Sequence, residues 1–193
     1  MQEDVLKAIK IITEGGIVIF PTDTAYGIGC RMDDEDAVRR LFALRRRPEV
    51  QATPVLVDGI RMAQSYLDPI PQDVREKLMD KYWPGALTIV LPCNEEKVTG
   101  LVRGGGGNLG VRMPNHALIL EIIRGIGVPL LGPSANFPGA QTPYALEDLD
   151  RELTERVDFI VRGECSVKQA STVIDCSVSP WRILREGAVK VES

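Results

Sequence analysis

The sequence predicts an α/β fold, a twisted mixed β-sheet flanked by helices. Short apolar runs of strand length alternate with segments of helical periodicity along the chain. Some of these runs are separated by helices and others only by turns, which gives parallel and antiparallel neighbours in one sheet. Apolar residues make up 44% of the 193 residues, enough for a core, and no repeat, low-complexity segment or linker divides them. Residues 1–193 are therefore expected to form a single domain.

The elements follow in order. In MQEDVLKAIKIITEGG, apolar spacing over 3–14 marks an amphipathic helix with early acids, stopped by Gly15 and Gly16. GIVIFPTD is a strand interrupted by Pro21, and AYGIGC resumes extended structure. DDEDAVRRLFALRRR is a helix with acids in its first turn and arginines in its last, the order the helix dipole favours. Pro48 ends that helix and biases Arg47 towards extended geometry. TPVLVD is a strand, MAQSYL and PQDVREKLMDKYW are helical, and ALTIVLP is a strand. A polar stretch leads through GGGGNLGVRMP into a strand-like VRM. HALILEIIRGIG is a helix, with His116 at its start in a surface or capping role. VPLLGPSAN is a strand entering a loop, YALEDLDRELTERV a helix and DFIVRG a strand. STVIDCS, WRILRE and GAVKVE complete the chain as three short β segments.

Composition narrows the chemistry. Lys and Arg number 23 against 27 Asp and Glu, a net charge of −4, so no global basic field recruits nucleic acid and any polyanion contact is local. The four cysteines, Cys30, Cys93, Cys165 and Cys176, form no CxxC pair, which argues against a zinc ribbon. The N-terminus reads as a helix rather than a targeting segment, which argues against a disulfide framework. No apolar run approaches the ~20 residues that cross a bilayer. The expectation is a soluble, cytoplasmic protein with no membrane contact. A single histidine, His116, leaves no histidine triad and no His-rich metal site. Chemistry here falls to arginine, hydroxyls, amides and backbone donors.

Several short segments carry such groups. PTDTAYG at 21–27 sets Thr22, Asp23, Thr24 and Tyr26 in a turn, where Asp and Thr also bond their own backbone. Arg45, Arg46 and Arg47 are ordinary dipole partners at a helix end, yet Pro48 turns at least one of them across the following strand. A guanidinium held there is a rigid fork for phosphate or carboxylate. RGGGGNLGVRMP joins a flexible loop to Arg112, and its glycines allow close backbone approach to a ligand. They match neither a Walker loop nor a dinucleotide fingerprint. GPSAN places Ser134 and Asn136 after an apolar strand, where ligands bind in α/β sheets. ASTVID opens a strand with Ser171 and Thr172, and ILREGAV sets Arg185 between two β segments.

Taken in order, PTDTAYG, the Arg-Arg-Pro segment running into PVLV, YWPGALTIVLP, VRMP, GPSAN, STVID and LREG resemble the YrdC/TsaC family, the threonylcarbamoyl-AMP synthases. The resemblance runs from about residue 5 to residue 189. It implies a YrdC-like α/β fold around a large positively charged cleft. It also implies an enzyme, a nucleotidyltransferase that converts L-threonine, bicarbonate and ATP into threonylcarbamoyl-AMP and pyrophosphate. That is the first step towards N6-threonylcarbamoyladenosine in tRNA, completed by a downstream threonylcarbamoyl-transferase. Mg²⁺ is expected to arrive with ATP, since no acidic metal cage is evident. The chain stops soon after LREG, and the expectation is a short form without an extra C-terminal domain.

Carried over by position, the family's threonine-side residues fall on Thr24, Leu56, Arg112, Gly132 and Ser171. The ATP side falls on Arg47, Gln51, Asn108, Ser134, Thr142 and Arg185, with Asn136 supporting the pocket and Arg45 and Arg47 as the catalytic pair. Three positions depart from the pattern. A usual lysine is Arg45, an often-lysine is Gln51, and a residue that is histidine in some members is Leu56. Two other readings stay open: a divergent branch with another substrate, such as the carbamoyl-transferring domain of hydrogenase maturation proteins, and a module that binds tRNA or double-stranded RNA without chemistry.

Overall fold

The computed structural model describes residues 2–191. Helix α1 (Gln2–Thr13) buries Val5, Ala8 and Ile12, the 3–4 spacing of one helical face, against α7 (Ala117–Ile126) with its Ile119, Ile122 and Ile123. Helix α2 (Glu35–Leu44) is capped by Asp34, whose side chain accepts from Ala37 N at 3.0 Å, and buries Ala37, Val38, Leu41 and Phe42.

The strands form two hydrogen-bonded sheets. In the smaller, β1 (Val18–Pro21) pairs antiparallel with β2 (Tyr26–Gly29) and parallel with β7 (Phe159–Ile160). Its burial on both faces explains the uninterrupted apolar run. The larger sheet has the order β6–β3–β5–β4–β8–β9: Leu130–Leu131, Val55–Leu56, Asn108–Arg112, Leu87–Pro92, Thr172–Asp175 and Arg182–Arg185. Parallel pairs (β3 with β5, β4 with β8) sit beside antiparallel ones (β3 with β6, β4 with β5, β8 with β9), the mixture that the connections predict. Bridges at Gly27–Ser134 and Arg31–Leu130 link the two sheets.

The larger sheet is two-faced. Leu87, Ile89, Leu91, Leu109, Val111, Val55 and Val57 point into the main hydrophobic cluster. Their alternates, Thr88, Val90, Asn108, Gly110, Arg112, Pro54 and Leu56, line an open cavity on the other side. That alternation builds the site's floor.

Local expectations are corrected in five places. Pro21 ends β1, still in register with Tyr26, rather than breaking the strand. Helix α2 stops at Leu44, so the three arginines lie beyond its last turn. A short helix α6 (Gly100–Arg103), capped by Thr99, stands where only a polar stretch was expected. The 144–157 segment is not one helix: a 3₁₀ turn (Leu146–Asp148) and α8 (Arg151–Thr154) are separated because Asp150 caps α8 through Glu152 N, and Asp148 accepts from Tyr144 N and Ala145 N. The 187–191 stretch is irregular, held by Ala188 N on Ala170 O at 2.9 Å and Val189 N on Thr172 Oγ1 at 3.1 Å.

Candidate functional site

The cavity holds about 520 Å³, and among the described residues no carboxylate lines it. Its polar walls come from the turn after β1, from the exit of α2, and from the ends of β6, β8 and β9. Five arginines line it from four places: Arg45 and Arg47 beyond the end of α2, Arg103 at the end of α6, Arg112 on β5 and Arg185 on β9.

Arg112 stands on β5 beside Leu56 of β3. Its Nε donates to Gly85 O at 3.0 Å, Nη1 to Thr24 Oγ1 at 2.7 Å, and Nη2 to the Asp23 carboxylate. Burial pulls this guanidinium below the ordinary arginine range, and the Asp23 charge and hydrogen bond push it back up. Asp23 is 2% exposed and sits behind the cavity wall, so its negative charge balances Arg112 without facing a ligand. The turn is fixed by Thr22, whose hydroxyl donates to Ala25 O at 2.7 Å and accepts from Ala25 N at 3.2 Å. The turn bonds expected of Thr22 therefore form and present Thr24 to the cavity, whereas the Asp23 carboxylate goes to Arg112 rather than to its own backbone.

The exit of α2 is a left-handed turn. Arg47 N donates to Phe42 O at 2.9 Å and Arg46 N to Ala43 O at 3.1 Å, with Arg46 at φ 53°. This is a Schellman closure with arginine where glycine is usual. The turn sends the three side chains apart. Arg46 goes outward to Glu152, 2.6 Å away, and over the Phe137 ring. Arg47 folds back to donate to Ala52 O and, at 3.4 Å, to Gln51 O. Arg45 turns inward, only 4% exposed, with Nη2 on Asn136 O at 3.0 Å, while its Nε and Nη1 have no partner among the described residues. Burial first, and the Arg47 charge second, lower Arg45 to about 10. A buried guanidinium with two open donors is a standing demand for an acceptor.

On the far wall, Arg185 donates to Ser171 O at 2.7 Å and to Ser171 Oγ at 3.0 Å, and Ser171 Oγ lies 2.9 Å from Thr88 Oγ1. Ser134 donates to Asn136 Oδ1 at 2.6 Å, and Asn136 Nδ2 donates to Ala140 O.

Thr24, Leu56, Arg112, Gly132 and Ser171 all line the cavity, as do Arg45, Arg47, Asn108, Ser134, Thr142 and Arg185. Gln51 and Asn136 do not line it. Gln51 is exposed and enters only through its backbone carbonyl, and Asn136 stands behind Ser134. The glycine loop is divided: Gly106 and Gly107 line the cavity, and Gly104 serves the packing of the loop. At Gly104 (φ +63°), the close approach is to the backbone of 50–52, where a Cβ would sit 2.8 Å from Val50 O. His116 takes the N-cap position of α7 by backbone alone; its Nε2 meets Glu164 O at 3.2 Å, and burial lowers its pKa. Sequence reasoning missed Thr88 and the balancing role of Asp23. Alternation within ALTIVLP could have found Thr88; nothing local marks the Asp23–Arg112 pair, which spans 89 residues.

A sequence model of the Sua5, YciO and YrdC proteins, described as "Telomere recombination", matches residues 10–187. The threonylcarbamoyl-AMP synthase of Bacillus subtilis is 33% identical over 189 residues, covering 97% of this chain and 54% of that protein. The crystal structure of Pyrococcus abyssi Sua5 complexed with L-threonine superposes with a TM-score of 0.91 at 33% identity, over 97% of this chain and 55% of that one. The Escherichia coli YciO structure shares the fold at a TM-score of 0.88 and 24% identity, over 100% of this chain and 93% of that chain. The chain thus spans about half the length of the Bacillus and Pyrococcus relatives.

Proposed function

The chain belongs to the Sua5/YciO/YrdC family, and from that premise we propose that residues 1–193 act as one YrdC-like domain making threonylcarbamoyl-AMP from L-threonine, bicarbonate and ATP. In this reading the threonine amine captures bicarbonate as a carbamate, with loss of water. The carbamate oxygen then attacks the α-phosphorus of ATP and expels pyrophosphate, a nucleotidyl transfer. Neither bond needs a protein nucleophile, so positioning and charge neutralisation supply the catalysis. Arg112, held on three sides, would take the substrate carboxylate, with Thr24 and Ser171 reading its polar groups and Leu56 and Gly132 forming the apolar wall. Arg45, Arg47 and Arg185 would face the triphosphate, with Ser134 and Thr142 beside it. The lining offers guanidinium and hydroxyl groups, which are poor ligands for a resident metal; Mg²⁺ enters this reading as part of the ATP substrate. The product would pass to a transferase acting on tRNA.

One observation carries the reading: Arg45 is buried in the cavity wall with two donors open, among arginines and with no lining carboxylate among the described residues. That arrangement fits a polyanion. The test is a reaction with labelled bicarbonate, ATP and Mg²⁺, with threonine, with serine, or with no amino acid. A labelled adenylate formed with pyrophosphate only when threonine is present is the expected result. ATP turnover indifferent to threonine would point to a different acceptor, and binding without turnover to the RNA module.

A further inference from the structure

We propose that Asp175 and Ser177 lock the amide of Asn108 so that its carbonyl oxygen reads the 6-amino group of adenine at the end of the cavity; this rests on the ATP-dependent reading above. The placement of protons fixes the amide. Ser177 has one hydroxyl hydrogen, and its Oγ lies 2.6 Å from Asp175 Oδ1, a carboxylate oxygen that only accepts. The same oxygen receives Ser177 N–H at 3.0 Å, and Arg182 Nη2 lies 3.4 Å from the other carboxylate oxygen. The hydroxyl hydrogen is therefore committed to Asp175. Towards Asn108, 3.0 Å away, Ser177 Oγ can only accept, so the Asn108 group facing it is the amide nitrogen. The flipped amide would bring two acceptors together with no hydrogen between them.

The consequence falls on the other end of the amide. Asn108 Oδ1 has no partner among the described residues, and Asn108 stands on the cavity face of β5, four residues from Arg112. At about 3.3 Å per residue that is roughly 13 Å from the Arg112 guanidinium's strand position. Between them the floor is Gly110 with Val90 directly across; on the next strand Val173, which also lines the cavity, pairs with Thr88, and Asp175 pairs with Val90. A flat apolar floor with one fixed acceptor suits a purine. A phosphate oxygen has no hydrogen to give and would repel Oδ1. Guanine and hypoxanthine would turn an acceptor, O6, to the place where adenine offers a donor.

Binding of ATP, inosine triphosphate, purine-riboside triphosphate (no 6-substituent) and 2′-deoxy-ATP to the full chain, each with Mg²⁺, separates the donors. The expected order is ATP and 2′-deoxy-ATP together, each at least about tenfold tighter than the other two. Ser177→Ala, which frees the amide to rotate, should bring the ATP-to-inosine ratio close to one. Ser177→Thr, which keeps the hydroxyl, should restore it. Purine-riboside triphosphate binding as well as ATP, a preference residing in the 2′-hydroxyl, or an unchanged ratio in Ser177→Ala overturns the proposal and leaves the ATP reading standing. No binding by any nucleotide overturns both.

Discussion

Helices α1 and α2 leave through the same turn with different residues in it. At the α1 exit, Gly16 N donates to Ile11 O at 2.8 Å and Gly15 N to Ile12 O at 3.1 Å, with Gly15 at φ +83°. At the α2 exit, the same two bonds run from Arg47 and Arg46, and Arg46 holds φ 53°. Helices α6 and α7 also end on left-handed glycines, Gly104 and Gly127. The left-handed conformation costs a residue with a Cβ about 1–2 kcal/mol. One helix of the four thus carries a cost the others avoid; its exit lines the cavity with Arg45 and Arg47, whereas the exit of α6 reaches the cavity through Arg103, Gly106 and Gly107 on a glycine turn. The left-handed turn throws Arg46 outward and Arg45 inward, so one helix end supplies both a surface tether and a buried cation. The difference separates a turn that only ends a helix from one that also builds a site.

The largest effect is expected at Arg47. Arg47→Ala removes a cavity cation whose present partners are exposed backbone carbonyls, so ATP affinity should fall by about 100-fold, near 2.8 kcal/mol, with the melting temperature nearly unchanged. Near-normal affinity in a folded variant would remove Arg47 from the phosphate wall.

Arg45→Met should give opposite signs in two measurements. Nucleotide binding should weaken about tenfold, while stability to denaturant should hold or rise by about 1 kcal/mol, because a buried guanidinium with two unpartnered N–H groups is lost. A loss of stability would mean that its bond to Asn136 O outweighs that burden. The pH dependence follows with its sign. The folded value is lowered to about 10, so the charged form is the disfavoured one in the native state. Arg45 therefore weakens the fold below that pH and weakens it less as pH rises from about 10 towards the ordinary arginine value. Its pull on ATP should fade over the same rise, and Arg45→Met should lack that component.

Exchanging the turn residues themselves should change least. Gly15→Ala should cost about 1 kcal/mol, since its Cβ meets Asp34 Oδ2 at 3.0 Å in a left-handed turn. Arg46→Gly relieves the backbone but gives up the Glu152 pair and the Phe137 contact, and should change stability by no more than about 0.5 kcal/mol, with ATP affinity intact. A large loss of affinity in Arg46→Gly would mean that the outward arginine also serves the ligand.

Much of this was legible in the chain order. Alternation in ALTIVLP and NLGVR sets which residues face the core, and the same period places Thr88, Asn108 and Arg112 on the opposite face. The apolar face of α1 and the Asp34 cap of α2 follow from spacing and composition within a dozen residues. The motifs PTDTAYG, GPSAN and STVID name the segments that meet at the cavity, and Pro48 signals that the chain turns after the arginines. These are short-range facts, decided by sterics and hydrogen bonding among neighbours.

Partnering was decided only in three dimensions. Nothing near Arg112 in the sequence shows that Asp23, 89 residues away, neutralises it, nor that Asn108 is oriented from 69 residues away by Ser177. The three consecutive arginines look alike in sequence, yet one is buried and half-satisfied, one tethers α8, and one rests on its own loop. Gln51 and Asn136 stand beside the cavity rather than in it: Gln51 is exposed with its backbone bonded to Pro48 and Arg47, and Asn136 is held behind Ser134. Charge and hydrogen-bond balance depend on distance in space and on burial, and neither is a property of a residue's neighbours along the chain.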